Sequence, residues 1–202
     1  MINTTYVLAT HNPHKIAEFQ QMLGARDAGV SIIGYDGPEP IEDGTTFAEN
    51  ALIKARTAAQ HTGLPAIADD SGLCVDVLNG APGIFSARWA GSHSDDEKNL
   101  TLLLEQLSDV PAPHRGAHYV CVIAVVIPEP AGNPPRETVV EGRWFGSLQS
   151  TPQGGHGFGY DPIFVPTGDS RTAAQMEPQE KNAQSHRARA LEELHKVLGD
   201  FG

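Results

Sequence analysis

Hydrophobic positions along the chain follow two patterns, which predict strands and helices. Short apolar runs bounded by glycine, proline or acidic residues are typical of buried strands. Such runs predict strands over residues 6–9, 30–33, 66–68, 73–77, 119–127, 138–144 and 163–165. Apolar residues at helical spacing, preceded by capping residues, predict helices over residues 13–23, 46–62, 94–107 and 184–198.

The order of these elements indicates an α/β fold. Strands alternate with helices along most of the chain, which favours parallel pairing. Strand 138–144 instead follows strand 119–127 through a loop, which predicts an antiparallel pair and therefore a mixed sheet. The chain has no repeat, linker or low-complexity tract, so we expect a single domain over residues 1–202.

Composition indicates the compartment. The chain has 202 residues, of which 40% are hydrophobic, but no apolar run approaches the roughly 20 residues that a membrane helix needs. The amino terminus also lacks the basic-then-apolar order of a signal peptide. We therefore expect a cytoplasmic protein without membrane association, in which Cys74 and Cys121 are buried and reduced.

Charge restricts the partners. The formal net charge is −11, which argues against broad nucleic-acid binding because such binding needs a basic surface. An anionic substrate would have to be bound locally, by a few Lys and Arg side chains together with a metal ion held by carboxylates.

The segment THNPHK, Thr10 to Lys15, lies at a predicted strand-to-helix turn. Amides at a helix N-terminus, together with a lysine, favour anions. The segment lacks P-loop spacing, so an ordinary helix capped by Asn12 with a solvated Lys15 explains the same residues.

Acidic residues form the next candidate site. Asp69 and Asp70 follow an apolar run and are predicted to enter a turn with Ser71 and Gly72. Adjacent carboxylates can bind Mg²⁺ and activate a water molecule, or they can hydrogen-bond the local backbone. Glu42, in an acidic loop, is a candidate second metal ligand or a solvated glutamate.

Glycine-rich and basic segments come late in the chain. Residues 154–159 lead into Tyr160 and Asp161 and include Phe158, a composition that suits either a loop folded over a flat base or a structural glycine loop. Lys181 and the run from Ser185 to Arg189 place cations where the last predicted helix begins, which is unfavourable without a nearby anion or polar ligand. Zinc-hydrolase, redox and serine-esterase motifs are absent from the sequence.

Five segments in order resemble the inosine triphosphate pyrophosphatase family, which clears ITP, dITP and XTP from the nucleotide pool so that they are not incorporated into DNA or RNA. They are VLATHNPHKIAEF, TFAENALIKAR, AIADDSGLCVDVLNGAPGIFSARWAG, GFGYDPIF and EKNAQSHRARAL. One segment alone would be a weak signal. All five in this order, over nearly the whole chain, make the resemblance specific.

The resemblance implies an elongated, two-lobed α/β fold on a central mixed β-sheet with flanking helices, an active cleft between the lobes, and a homodimer. It implies Mg²⁺-dependent hydrolysis of the triphosphate to the monophosphate and pyrophosphate. Asp70 would be the general base and a metal ligand, assisted at the metal by Asp69 and Glu42. The substrate-binding residues it implies are Thr10, His11, Asn12, Pro13, His14, Lys15, Lys54, Ser71, Arg88, Phe158, Gly159, Tyr160, Asp161, Lys181, His186 and Arg187.

Two alternative functions stay open at the level of sequence. A Maf-like pyrophosphatase would act on other modified nucleotides, and a nucleotide sensor would bind a triphosphate without cleaving it. The acidic residues argue against a sensor, which has less need of a group that activates water. A purely structural interaction domain would leave both the acidic and the basic clusters unexplained.

Overall fold

The computed structural model describes residues 4–11, 16, 19–20, 30–91, 95–130 and 133–198. Its strands are β1 Thr4–Leu8, β2 Val30–Gly34, β3 Ala66–Val75, β4 Gly116–Ile127, β5 Arg136–Leu148 and β6 Phe164–Pro166. The α-helices with both ends described are α1 Phe47–Thr62, α2 Asp96–Gln106, α3 Pro178–Gln184 and α4 His186–Leu198. Each predicted strand overlaps one of these strands.

The six strands form one sheet in the order β2-β1-β3-β4-β5-β6. Strand β1 pairs in parallel with β2 and β3, whereas β5 and β6 are antiparallel. The sheet is therefore mixed, which confirms the predicted α/β class with helices flanking a mixed sheet.

The chain divides into two compact units, each built from separate segments. Unit 1 contains Met1–Asp70, Val122–Glu141 and Ala190–Gly202, and unit 2 contains Ser71–Cys121 and Gly142–Arg189. The expectation of a single domain over residues 1–202 stays a prediction.

Helix α1 has sharply defined ends. The Thr46 hydroxyl accepts a hydrogen bond from the Glu49 amide at 3.1 Å, as a capping residue does. The Glu49 carboxylate turns back towards the start of the helix and accepts a hydrogen bond from the Thr45 amide at 2.6 Å. At the other end, Gly63 takes a left-handed conformation with φ 69° that L-residues avoid, and its amide reaches the Ala59 carbonyl.

Each unit has its own core. In unit 1, α1 presents a buried row of alanines at positions 51, 55, 58 and 59, small side chains that allow close packing of the helix, and α1 contacts β1. In unit 2, Leu103 and Leu107 pack with Trp144, Phe164 and Met176 in one buried cluster. Burial of these apolar side chains is the main stabilising contribution in both units.

The predicted turn at Asp69 to Gly72 is wrong. These residues lie inside β3, a continuous strand of 10 residues. Aspartate and glycine disfavour strands locally, but tertiary partners override this preference: the Asp70 carboxylate accepts hydrogen bonds from α1. Beyond Gly72, the Leu73 amide donates to the Ser86 hydroxyl at 2.9 Å.

The predicted last helix, 184–198, begins two residues later than expected, and a short helix that was not predicted precedes it. Helix α3 ends at Gln184, and Ser185 has an extended conformation with ψ 166° before α4 begins at His186. The Ser185 hydroxyl accepts a hydrogen bond from the Ala188 amide at 3.3 Å, as a residue that caps a helix does. His186 and Arg187 therefore lie in the first turn of α4, as predicted.

Within the described ranges, none of the helices combines the length and the apolar character needed to cross a membrane. The cytoplasmic location stays a prediction. Cys74 and Cys121 are buried and form no disulfide, as expected.

Candidate active site

Unit 1 contains a cavity of about 210 Å³ that brings together five of the predicted site residues. They are Thr10, His11, Glu42, Lys54 and Asp69. The described lining also includes Ala9, Tyr35, Glu39 and Pro40. Four further predicted phosphate-binding residues, Asn12, Pro13, His14 and Lys15, lie outside the described residues.

Lys54 is the lysine among the described residues that line this cavity. Its ammonium group lies 3.2 Å from Glu42 and 3.4 Å from Asp70. The side chain is only 16% exposed, unlike most helix lysines, whose charged ends are solvated. Burial lowers the pKa of Lys54, but the charges of the surrounding carboxylates, Asp70 first, outweigh burial and raise it above 10.5. Lys54 therefore carries a permanent positive charge beside the acidic residues.

Asp70 is a carboxyl group with a raised pKa. Burial is the largest cause, the Lys54 ammonium opposes it, and the charges of Glu42 and Asp69 add to it. A raised pKa makes a carboxylate a stronger base and brings it closer to the working pH. The environment of Asp70 thus suits a group that removes a proton from water.

Asn50 is a site residue that the sequence does not reveal by a motif. It lies on α1 one turn before Lys54, is 1% exposed, and donates from its side-chain amide to Asp70 Oδ2 at 3.3 Å. Its carbonyl oxygen accepts from the Gly44 amide at 2.9 Å. The available signal was a poor helix former four residues before a lysine, which places both on one face of the helix. Asn50 fixes the orientation of Asp70.

His11 belongs to a group of three side chains at the cavity. Its Nδ1 lies 2.6 Å from the Glu39 carboxylate, and its ring stacks on Tyr35 with centroids 5.9 Å apart. The hydrogen bond with Glu39 is the largest cause of a pKa of His11 above 6.5. Neither Glu39 nor Tyr35 was predicted, because no local pattern links them to His11.

Ser71 follows Asp70 in β3. Its hydroxyl oxygen is buried and has no hydrogen-bond partner within the described part of the chain. Buried hydroxyl groups in proteins normally have one. A ligand atom would satisfy this oxygen, and the substrate contact of Ser71 stays a prediction.

The acidic residues fit a divalent cation by charge. Glu42, Asp69 and Asp70 are three carboxylates, and the Lys54 ammonium contacts Glu42 and Asp70. In the described ranges no three His, Cys, Asp or Glu side chains are already arranged around one ion position. Mg²⁺ uses only one or two protein carboxylates and completes its shell with water and phosphate, so this donor set is suitable for it.

Asp161 organises a second cluster of predicted site residues, which lies in unit 2. The carboxylate is 2% exposed and accepts hydrogen bonds from the Phe158 amide, at 2.9 Å, and from the Lys181 ammonium group. Gly157, with φ 77°, passes so close that an added Cβ would overlap this carboxylate. The glycine-rich segment is therefore tied to Asp161.

The two aromatic residues of this loop differ in exposure. Phe158 is 66% exposed, and the Lys181 ammonium group lies 5.0 Å from its ring centroid, a cation–π geometry. Tyr160 is buried instead, and its hydroxyl group donates to the Ser86 carbonyl at 2.8 Å. The Gly159 amide donates to Asp96 at 2.8 Å. Only Phe158 offers a ring face for stacking, whereas Tyr160 and Gly159 anchor the loop.

The remaining predicted residues of unit 2 are on helices. Arg88 ends a 3₁₀ helix, Gly83–Arg88, with its guanidinium group 5.1 Å from the Phe85 ring centroid. His186 is buried and stacks on Tyr119, which lies in the predicted strand 119–127 and was not among the predicted site residues. The Tyr119 hydroxyl group also donates to Asp161 at 3.2 Å.

The sequence as a whole matches the Ham1 family over residues 6–197. It is 58% identical over 192 residues to the dITP/XTP pyrophosphatase of Leifsonia xyli subsp. xyli, covering 95% of this chain and 94% of that protein. It is 53% identical to the dITP/XTP pyrophosphatase of Streptomyces avermitilis, with 98% of both covered.

Solved structures give the same similarity. A HAM1 protein from Coxiella burnetii superposes with a TM-score of 0.88 at 45% identity, covering 98% of this chain and 99% of that one. A nucleoside-triphosphatase / dITP/XTP pyrophosphatase from Mycobacterium abscessus superposes with a TM-score of 0.80 at 50% identity, covering 95% and 98%. The similarity extends over the segments that carry both clusters.

Proposed function

This chain belongs to the Ham1 family, and on that premise we propose that it hydrolyses the non-standard purine nucleoside triphosphates ITP, dITP and XTP to the monophosphate and pyrophosphate. Two relatives more than half identical over nearly their whole length are dITP/XTP pyrophosphatases. The chain would thereby remove these nucleotides from the pool used for nucleic-acid synthesis.

The observation that carries the proposal is the contact of a buried lysine with acidic side chains at one cavity. Lys54 pairs with both Glu42 and Asp70, and Asp69 lines the same cavity. Phosphoryl transfer depends mainly on positioning and on charge stabilisation. This cluster supplies a base and a cation side by side.

In the proposed reaction, water attacks the α-phosphorus. Asp70 accepts the proton of the attacking water as the new bond between oxygen and phosphorus forms. The bond between the α-phosphorus and the oxygen bridging to the β-phosphoryl group breaks, and pyrophosphate leaves with that oxygen. Lys54 stabilises negative charge that develops on the phosphate oxygens. Asn50, through its hydrogen bond to Asp70, keeps the base oriented.

Glu42, Asp69 and Asp70 would hold Mg²⁺. When bound, the ion would neutralise phosphate charge and make a coordinated water easier to deprotonate. Among the described residues of this cluster, one ammonium group, that of Lys54, faces the three carboxylates, so a trianionic or tetra-anionic phosphate chain would be better bound with the additional positive charge of the ion.

We propose that the cluster around Asp161 in unit 2 selects the base of the substrate. Phe158 offers an exposed face on which a purine can stack. Lys181, His186 and Arg187 are donors suited to a 6-keto oxygen, whereas adenine presents an amino group there and would leave buried donors unpaired. Guanine has the keto group too, so the site must exclude guanine at its 2-amino group, either by a steric clash or by an unfavourable polar contact.

The test is release of pyrophosphate by the purified protein from ITP, dITP, XTP, ATP and GTP, with Mg²⁺ and with EDTA, together with identification of the nucleoside product. We expect rapid, metal-dependent conversion of ITP, dITP and XTP to monophosphates, with ATP and GTP largely spared. Orthophosphate as the product, or equal use of all five, would refute the proposal. Preference for other modified nucleotides would indicate the Maf-like alternative, and binding without product would indicate a sensor.

We also propose that the protein forms a homodimer and does not bind nucleic acid. The formal charge of −11 supports the second point, because acidic surfaces repel the phosphate backbone. Sedimentation equilibrium and titration with duplex DNA test the two statements separately.

A further inference from the structure

Tyr119, in β4, contacts two of the proposed base-reading side chains of unit 2. Its hydroxyl group donates to Asp161 Oδ1 at 3.2 Å. Its ring stacks on the His186 imidazole ring, with centroids 4.8 Å apart and planes 12° from parallel. Phe164 packs against the tyrosine ring at 62°, also with centroids 4.8 Å apart. Tyr119 is thus held in place by its neighbours and links two parts of the cluster.

We propose that Tyr119 is a positioning residue for purine selectivity: it orients Asp161 and His186 and, through Asp161, the Lys181 ammonium group. This inference rests on the proposed function, because it concerns how the same site separates a 6-keto purine from adenine.

The hydrogen bonds of Asp161 explain how Tyr119 acts on Lys181. Carboxylate oxygen Oδ2 accepts from Lys181 and from the Phe158 amide, and Tyr119 contacts the other oxygen. A carboxylate held at one oxygen can still turn about its Cβ–Cγ bond, because this terminal torsion is broad. The Tyr119 hydroxyl removes this freedom and fixes the direction from which Lys181 meets the carboxylate.

Tyr119 is suited to this role over a wide pH range. The residue is buried, and burial, followed by the charge of Asp161, holds the pKa of the Tyr119 phenol well above 10.0. The hydroxyl group therefore stays protonated and able to donate. It behaves as a fixed part of the cluster rather than as a titrating group.

Loss of the Tyr119 hydroxyl group should change the ratio of kcat/KM for ITP and ATP, and should not lower kcat/KM for every substrate. A correctly directed ammonium group can donate to the 6-keto oxygen of hypoxanthine, whereas adenine presents a donor at that position. Loss of direction at Lys181 therefore weakens the contact with ITP and removes nothing from ATP. A change that only loosened the core would reduce both reactions together.

The test compares Tyr119→Phe with wild type in steady-state hydrolysis of ITP and ATP. The variant keeps the ring stack and deletes one hydroxyl group. We expect kcat/KM for ITP to fall about ten- to a hundredfold, the range for losing one hydrogen bond to a charged group, while kcat/KM for ATP is unchanged. The matched control is Tyr6→Phe, which deletes the hydroxyl of a buried tyrosine in unit 1 and should leave the ITP/ATP ratio unaltered.

A double-mutant cycle with Lys181→Ala tests the path of the effect. If Tyr119 acts through Lys181, Tyr119→Phe costs little further selectivity once Lys181 is absent, so the two changes are not additive. Equal losses for ITP and ATP, an unchanged ITP/ATP ratio, or full additivity would each overturn the inference. Thermal unfolding of each variant separates a folding defect from a positioning effect.

Binding measurements keep this test independent of turnover. Calorimetric titration with inosine monophosphate and adenosine monophosphate should show the same loss of preference in Tyr119→Phe. If the wild type does not hydrolyse ITP, the proposed function fails, and these two affinities alone decide the role of Tyr119. Unchanged relative affinities would then refute it.

Discussion

Asp70→Asn replaces the proposed base with a side chain of the same size that cannot take up a proton at neutral pH. In the wild type, one carboxylate oxygen of Asp70 accepts from Asn50 at 3.3 Å and the other from Lys54 at 3.4 Å. Asparagine keeps only one of these acceptors. A positioned general base contributes about 10²–10⁴-fold to rate, so we expect kcat for ITP to fall at least about a hundredfold.

The same substitution should change how stability depends on pH when EDTA keeps the site free of metal. Burial raises the pKa of Asp70 above 3.8, so the folded state binds this proton more tightly than the unfolded state does. Wild-type stability therefore decreases as pH rises from 3.8 through the raised pKa. Asparagine does not ionise. The melting temperature of Asp70→Asn minus that of the wild type should become more positive from about pH 4 to about pH 7.

The assay pairs pyrophosphate release from ITP with thermal unfolding at both pH values. Asp109→Asn is the matched control, because it removes an exposed carboxylate and should change neither measurement. Turnover by Asp70→Asn above about a tenth of the wild-type value would exclude Asp70 as the general base. A melting-temperature difference that becomes more negative with pH would contradict the reasoning about its burial.

Three further perturbations test other contacts. Lys54→Met removes the ammonium group that contacts Glu42 and Asp70. Steady-state kinetics should show kcat/KM for ITP about ten- to a hundredfold lower, because a contact with a charged group is lost. An unchanged value would contradict the role of Lys54. Glu39→Gln removes the main cause of the raised His11 pKa, so an NMR titration of the His11 ring should show this pKa shifting down towards 6.5; no shift would mean that the contact does not form in solution. Gly157→Ala places a methyl group against the Asp161 carboxylate at a φ of 77°, so denaturant unfolding should show a free energy of unfolding about 1–3 kcal/mol lower than that of the wild type. The control is Gly155→Ala, whose added Cβ meets no described atom within 4 Å. Its free energy of unfolding should decrease much less.

Local sequence signals predicted the elements well because each strand carries its own apolar run. They failed at Asp69 and Asp70, where propensity favours a turn and contacts from Asn50 and Lys54 stabilise a strand instead. Helix α3, Pro178–Gln184, was missed for a different reason: its residues are nearly all polar and none is buried, so the segment has no apolar spacing.

The candidate site was predictable only where residues belong to a recognisable segment. Glu42, Lys54 and Asp69 were predicted and line one cavity. Glu39 and Tyr119 were not, because their partners, His11 and Asp161, lie 28 and 42 positions away in the chain. A tyrosine in an apolar strand has the sequence pattern of a core residue. Only the folded structure shows that the hydroxyl group of Tyr119 donates to Asp161.

The interleaved segments of the two units have a consequence for how the protein is made. Unit 1 begins with the first residue and is completed only by Ala190–Gly202, whereas both segments of unit 2 are present once Arg189 has been added. During synthesis, the early segment that contains Glu42, Lys54 and Asp69 is therefore made long before residues 190–202. Unit 1 can complete its fold only after these thirteen residues have been added. A ribosome-bound chain in which a linker replaces residues 190–202, so that residues 1–189 lie outside the exit tunnel, should hold unit 2 in a protease-resistant form while unit 1 is still digestible.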